Sequence, residues 1–213
     1  MSTRPSKIIC VGRSYADHAR ELGNAIPDSP VLFMKPASSL VTVQDGITWN
    51  QALGQCHYEC ELTLRLDQPL THETDPQKAL QAVGAVTLGL DLTLRDVQDE
   101  LKKKGHPWER AKAFDGSCML ADWVAVDQVV EDWNDVHYRL EINDELRQKG
   151  DTSCLIFEIG SLVAEISQVF RLEAGDVIMT GTPAGVAALQ TGDQLRMTLQ
   201  GKTQDYVWNT VVK

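Results

Sequence analysis

Glu59 and Glu61 stand two positions apart in the segment Cys56-His57-Tyr58-Glu59-Cys60-Glu61-Leu62. Read as a strand, the segment points His57, Glu59 and Glu61 to one side and Cys56, Tyr58, Cys60 and Leu62 to the other. The second set is apolar and belongs in a core. Carboxylates side by side on a partly buried face repel each other, and a hard cation is the simplest compensation. A third carboxylate, Asp91, follows the apolar run 85–90, which would deliver it to the rim of a core. Three oxygen ligands from two strands leave positions for water and a bidentate substrate, which suits Mg2+ or Mn2+. The alternative is a solvated face of an amphipathic strand, and spacing alone leaves the two readings level.

Other side chains could act on a molecule held at such a site. His18 and Glu21 are three apart, so on a short helix they face the same way and Glu21 could orient and polarise the imidazole. A surface helix with a chance ion pair is the competing reading, and the residues alone favour it. Arg13, beside Gly12, and Lys35, in the turn Phe33-Met34-Lys35-Pro36, offer cations for a substrate carboxylate, Arg being the better bidentate partner. Lys112 lies between a helix and the Gly116 turn, in a stretch that reads as a loop, where a lone lysine is ordinarily solvated. Thr182, in Thr180-Gly181-Thr182-Pro183, sits on a loop whose N–H groups and hydroxyls suit an anionic group, although no P-loop pattern follows. Gln98 reads as an exposed helical residue, and His72, His106 and His137 have no metal-ligand spacing and take no role.

These residues need a scaffold, and the chain of 213 residues, 43% hydrophobic and 23% charged, is long enough for one core. One domain over residues 1–213 is expected. The net charge of −10, with the basic residues scattered apart from Lys102, Lys103 and Lys104, argues against nucleic acid as a partner. No apolar run approaches a membrane span, and the segment 1–7 is too polar for a secretory signal, so a cytoplasmic protein with no membrane partner is expected. Five cysteines without a CxxC pair read as reduced, mostly buried thiols. Helices are expected over 14–22, closed by Gly23-Asn24, then over 75–83, 94–104 and near 161–170. Strands are expected over 7–11, 31–35, 58–66, 85–92, 138–142, 145–148, 177–180, 195–199 and 206–212, with Asn143-Asp144 as a two-residue hairpin turn.

Five segments occur in order: GRSYADHARELG (12–23), PVLFMKPASSL (30–40), HYECEL (57–62), LGLDLTLRDVQDELKKKGHPWERAKAFDGSC (88–118) and DVIMTGTPAGV (176–186). Together they resemble the fumarylacetoacetate hydrolase family, especially its short members related to acylpyruvases. The resemblance implies an α+β, β-dominant fold, a mixed β-sandwich roll with peripheral short helices, usually a homodimer. It implies Mg2+ or Mn2+ on Glu59, Glu61 and Asp91, with His57 outside the ligand set. It places His18 and Glu21 on a lid, here residues 14–30, that orders over the substrate and activates water. It points Lys112 into the site to share enolate charge, and gives Gln98 a substrate contact. Ser14, Asp144 and Ala187 depart from the residues common in relatives.

The expected substrate is a small 2-oxo acid. The leading expectation is hydrolysis of a carbon–carbon bond in a 3-acylpyruvate, with water activated by His18 and a pyruvate enolate leaving. Oxaloacetate decarboxylation, or keto–enol tautomerisation of oxaloacetate or a related dioate, fits the same site without nucleophilic water. A catalytically silent metal-binding homologue is the third possibility.

Overall fold

The computed structural model describes residues 4–21, 23 and 25–213. The chain runs β1 (Ile8–Gly12), α1 (Ala16–Glu21), β2 (Val31–Lys35), β3 (Leu40–Thr42), β4 (Cys56–Tyr58) and β5 (Cys60–Leu66). It continues through α2 (Pro76–Gln81), β6 (Val83–Asp91), β7 (Thr93–Leu94), α3 (Arg95–Lys104), α4 (Glu109–Lys112), β8 (Cys118–Leu120), β9 (Val124–Ala125) and α5 (Val126–Val129). The last part holds β10 (His137–Ile142), β11 (Glu145–Asp151), α6 (Ile159–Val169), β12 (Val177–Met179), β13 (Ala187–Ala188), β14 (Gln194–Gln200) and β15 (Asp205–Val211). Leu22 and Asn24, expected at the end of the first helix, lie outside the described residues, as do Met1 to Thr3. No helix among the described residues is long and apolar enough to cross a membrane.

The largest sheet orders its strands β2-β1-β12-β5-β6-β8-β3, with β9 also on β6, and curls into a half-barrel. Its pairs are antiparallel except β1 with β12 and β3 with β8. A four-stranded antiparallel sheet, β11-β10-β14-β15, and a three-stranded one, β13-β4-β7, complete the β structure. Both faces of the central strands are buried. On one face Cys60, Leu62, Leu64 and Leu66 join Leu88, Leu90, Ile178 and the apolar residues of α6 and the four-stranded sheet in the main core. The other face carries Glu61, Thr63, Gly89 and Asp91 beside a smaller cluster of Ile8, Cys10, Cys118, Leu120, Val177 and Met179. Gly89 is required there, because a Cβ would lie 2.8 Å from Thr63 Oγ1 and 2.9 Å from a Leu120 methyl.

Local signals account for several boundaries. Asp75 caps α2 by accepting from Gln77 N, with Pro76 at the first helical position. Gly105, at φ 65°, closes α3, with His106 N donating to Leu101 O. Asn143 and Asp144, at φ 53° and 64°, make the β10–β11 turn.

Two expectations need correction. The segment 56–62 is not one strand: it breaks at Glu59, where β4 leaves to pair with β7 and β13 while β5 pairs with β6 and β12. Alternation reads the same on both sides of such a break, since it reports burial and not which strand is the neighbour. Lys112 is also not in a loop; it ends the single turn α4, where Lys112 N donates to Trp108 O.

Candidate metal centre and active site

The break at Glu59 creates the centre. Glu59 O accepts from Asp91 N at 2.9 Å, which brings the end of β6 against the start of β5. Glu59, Glu61 and Asp91 are all buried, and each offers an oxygen within 4.8 Å of the others. Three cationic side chains converge on two of them. Arg95 Nη2 donates to Glu59 Oε1, and Lys112 Nζ donates to Glu59 Oε2 at 2.8 Å and to Asp91 Oδ2 at 2.7 Å. Lys35 Nζ lies 2.8 Å from Asp91 Oδ1 as an ion pair without hydrogen-bond alignment.

Glu61 differs from its neighbours. It accepts from Gly181 N at 2.8 Å, and no cationic side chain pairs with it among the described residues. Burial first, then Asp91 and Glu59 beside it, push its carboxyl well above the ordinary range. Burial acts the same way on Glu59, but Lys112 and Arg95 outweigh it and hold that carboxyl low. A buried acid lacking a cation, beside two others in an all-oxygen set, fits a hard divalent ion such as Mg2+ or Mn2+. Gly181 supplies its N–H at φ 96°, and any Cβ there would lie 2.3 Å from Ser14 Oγ.

The carboxylates floor a small pocket, about 30 Å3 in volume, walled by Arg13, His18, Phe33, Arg95, Gln98, Lys102, Trp108, Lys112 and Thr182. His18 and Glu21 both lie on α1, with His18 Nδ1 3.3 Å from Glu21 Oε2. Glu21 also accepts from Gly185 N at 3.1 Å, so the helix is tied to the loop after Thr182. Burial pushes the His18 imidazole below its ordinary pKa, against the opposing pull of Glu59 and Glu21. Lys112 is raised to about 12, because Asp91 and Glu59 outweigh its burial.

Gln98 is buried, accepting from Arg95 Nη1 at 2.7 Å, rather than exposed on its helix. Thr182 Oγ1 donates to Cys60 O at 2.9 Å. Arg13 has a buried Nε without a partner among the described residues and a left-handed backbone, φ 59°, a strained conformation for a residue with a Cβ. Lys35 is the exception. It does not line the pocket: it is wholly buried behind Asp91, donating to the carbonyls of Leu92 and Lys112. Its amine is engaged there by Asp91 and the two carbonyls, so it does not present itself to a carboxylate in the pocket as the turn reading expected.

Sequence reasoning did not single out Arg95, Lys102 or Thr93, whose hydroxyl accepts from Lys112 Nζ at 2.7 Å. Arg95 precedes Gln98 by three on the first turn of α3, four residues after Asp91, and that spacing was the available signal. His57 stays half-buried off the pocket wall; burial and then Arg95 lower its pKa.

The model of the fumarylacetoacetate (FAA) hydrolase C-terminal family matches residues 7–211. The oxaloacetate tautomerase of Escherichia coli (strain K12) is 42% identical over 196 residues, 92% of this chain and 89% of that protein. The mitochondrial oxaloacetate tautomerase of Homo sapiens is 39% identical over 194 residues, 91% of this chain and 87% of that protein. Among solved structures, fumarylpyruvate hydrolase from Pseudomonas aeruginosa in complex with Mn2+ and pyruvate superposes with a TM-score of 0.84. It is 32% identical, and the match covers 97% of this chain and 90% of that one.

Proposed function

The chain belongs to the fumarylacetoacetate hydrolase family, and from that premise we propose that it is a divalent-metal enzyme interconverting the keto and enol forms of oxaloacetate or a close 2-oxo dioate. The observation that carries this reading is one pocket in which three buried carboxylates meet a wall of Arg13, Arg95, Lys102 and Lys112. The acids provide a cation site, and the cations not spent on those acids suit a substrate with two carboxylates. The names of the relatives from Escherichia coli and Homo sapiens support the same choice.

A Mg2+ or Mn2+ ion held by Glu59, Glu61 and Asp91 would polarise the 2-oxo carbonyl and so acidify the adjacent carbon. Arg13 and Lys102 would hold the carboxylates. His18, kept neutral at pH 7 by its burial, can take a proton from that carbon through Nε2, since Glu21 engages Nδ1. Lys112 would stabilise the charge on the enolate oxygen. Transfer of the same proton from His18 to that oxygen completes the enol, with no net gain or loss of protons.

The His18–Glu21 pair also favours a second reading, hydrolysis of a 3-acylpyruvate, in which the imidazole takes its proton from water. The name of the Pseudomonas aeruginosa relative supports it. Purified protein with Mg2+ or Mn2+ should accelerate the decay of enol oxaloacetate absorbance, and a chelator should abolish the effect. Cleavage of acetylpyruvate without any effect on oxaloacetate would replace the first reading with the second. Family membership further supports a homodimer as the working assembly; a monomer mass by light scattering would overturn that part.

A further inference from the structure

We propose that Gln148, on β11 of the separate four-stranded sheet, is a positioning residue that sets the metal carboxylates and the His18–Glu21 pair together through the loop 181–185. Its side chain is 1% exposed, and three of its hydrogen-bonding positions are filled. Gln148 Oε1 accepts from Cys60 N at 2.9 Å, while Nε2 donates to Thr182 Oγ1 and to Pro183 O, each at 2.8 Å. Cys60 lies between Glu59 and Glu61, at the point where the strand changes sheets. Gln148 thus satisfies a buried N–H that faces away from β6, beyond the point where β12 ends at Met179, and fixes the backbone between the two acids.

The other end of this contact is the loop. Thr182 Oγ1 passes the hydrogen bond on to Cys60 O, so the amide and the hydroxyl hold both polar groups of Cys60. Gly185 is pressed against the same strand: a Cβ there would lie 2.1 Å from Arg147 O. Within five residues the loop donates Gly181 N to Glu61 and Gly185 N to Glu21. One acid belongs to the cation site and the other orients the candidate base. Clamping this loop on β11 therefore fixes the distance between the two halves of the site, and a slack loop would loosen both.

This inference rests on the metal site proposed above, and the experiment separates the two. Mn2+ binding is measured by titration calorimetry and electron paramagnetic resonance on wild type, Gln148→Met, Thr182→Val and Leu162→Ala, well below each unfolding temperature. Leu162→Ala is a main-core truncation on α6, which does not pair with β11, and serves as the control for general loosening. Gln148→Met should weaken Mn2+ binding by about 10- to 100-fold, the range for residues that orient metal ligands, and Thr182→Val should weaken it by a smaller factor. Leu162→Ala should lower the unfolding temperature while leaving Mn2+ affinity near that of wild type. Hydrogen exchange should speed up in peptides covering 181–185 and 16–21 in Gln148→Met and not in the control. If Gln148→Met does not fold, Thr182→Val decides, since it breaks the same relay without changing side-chain shape. Wild-type affinity in the variants, or equal weakening in Leu162→Ala, would overturn the positioning role alone. Failure of the wild type to bind Mn2+ would overturn the metal site and this inference with it.

Discussion

On Asp91 two lysines take one oxygen each, Lys35 at Oδ1 and Lys112 at Oδ2, yet only Lys112 reaches the pocket. Lys35 therefore acts on Asp91 and through it, and its loss should register as stability. Lys35→Met leaves part of a buried carboxylate uncompensated, which costs about 3–5 kcal/mol when one partner of a buried pair is removed. Urea denaturation should show that loss, and an unchanged midpoint would dismiss the pairing. Arg13 makes the opposite case, because its buried Nε has no partner to abandon among the described residues. Arg13→Ala should leave the urea midpoint nearly unmoved and raise KM by about 10- to 100-fold, the equivalent of one charged hydrogen bond of ~1.5–3 kcal/mol. A lowered kcat at constant KM would instead place Arg13 in the chemistry. His18 lines the pocket as an imidazole oriented by Glu21, and its burial favours the neutral form. His18→Ala should lower kcat for enol–keto conversion by about 10²- to 10⁴-fold, and full activity in that variant would remove His18 from the proton transfer.

The elements are held in register by residues remote from the pocket, and Asp176 is the clearest. Its carboxylate accepts from Ser6 N, Ser6 Oγ and Lys7 N on Oδ1, and from Lys7 Nζ and Glu173 N on Oδ2, stapling the entry of β1 to the entry of β12. Burial works to raise its pKa, but the hydrogen bonds from Lys7, Ser6 and Glu173 outweigh burial and hold it below the ordinary value. A depressed acid stabilises the fold fully above its unfolded pKa and loses that contribution as pH falls through the folded value. Asp176→Asn should cost about 1–3 kcal/mol at pH 7, and its gap from wild type should close as the pH falls below the unfolded Asp value. A gap independent of pH would mean that shape, not charge, makes the staple. Elements with local punctuation were legible from sequence: Gly105 ended α3, and Asn143-Asp144 made the hairpin turn. The break at Glu59 and the turn α4 were not, because the first depends on which strand lies alongside and the second is too short to show periodicity. The three acids could be named from their spacing and the family resemblance, whereas Gln148 reaches Cys60 across 88 positions and has no local pattern to mark it.

Across the whole molecule, the centre sets activity against stability in the metal-free protein. Lys35, Arg95 and Lys112 bind Glu59 and Asp91 directly, and among the described residues Glu61 has a backbone N–H and no cationic partner, on the buried floor of the pocket. A buried acid beside two others destabilises the fold until a cation joins it, so ligand binding and folding are linked. In wild type, Mn2+ at about 100 times its dissociation constant should add about 2.7 kcal/mol to unfolding, by mass action. Glu61→Gln keeps the acceptor for Gly181 N and removes the acid whose ionisation its burial and the neighbouring acids oppose. It should therefore unfold at a higher temperature than metal-free wild type, yet gain almost nothing from Mn2+ and show no metal-dependent turnover. Calorimetric scans of both proteins, with chelator and with Mn2+, check the two halves at once. A Glu61→Gln protein that unfolds earlier than metal-free wild type would show that the carboxylate is already compensated without metal. One that still responds to Mn2+ as wild type does would place the cation elsewhere than on the Glu59, Glu61 and Asp91 set.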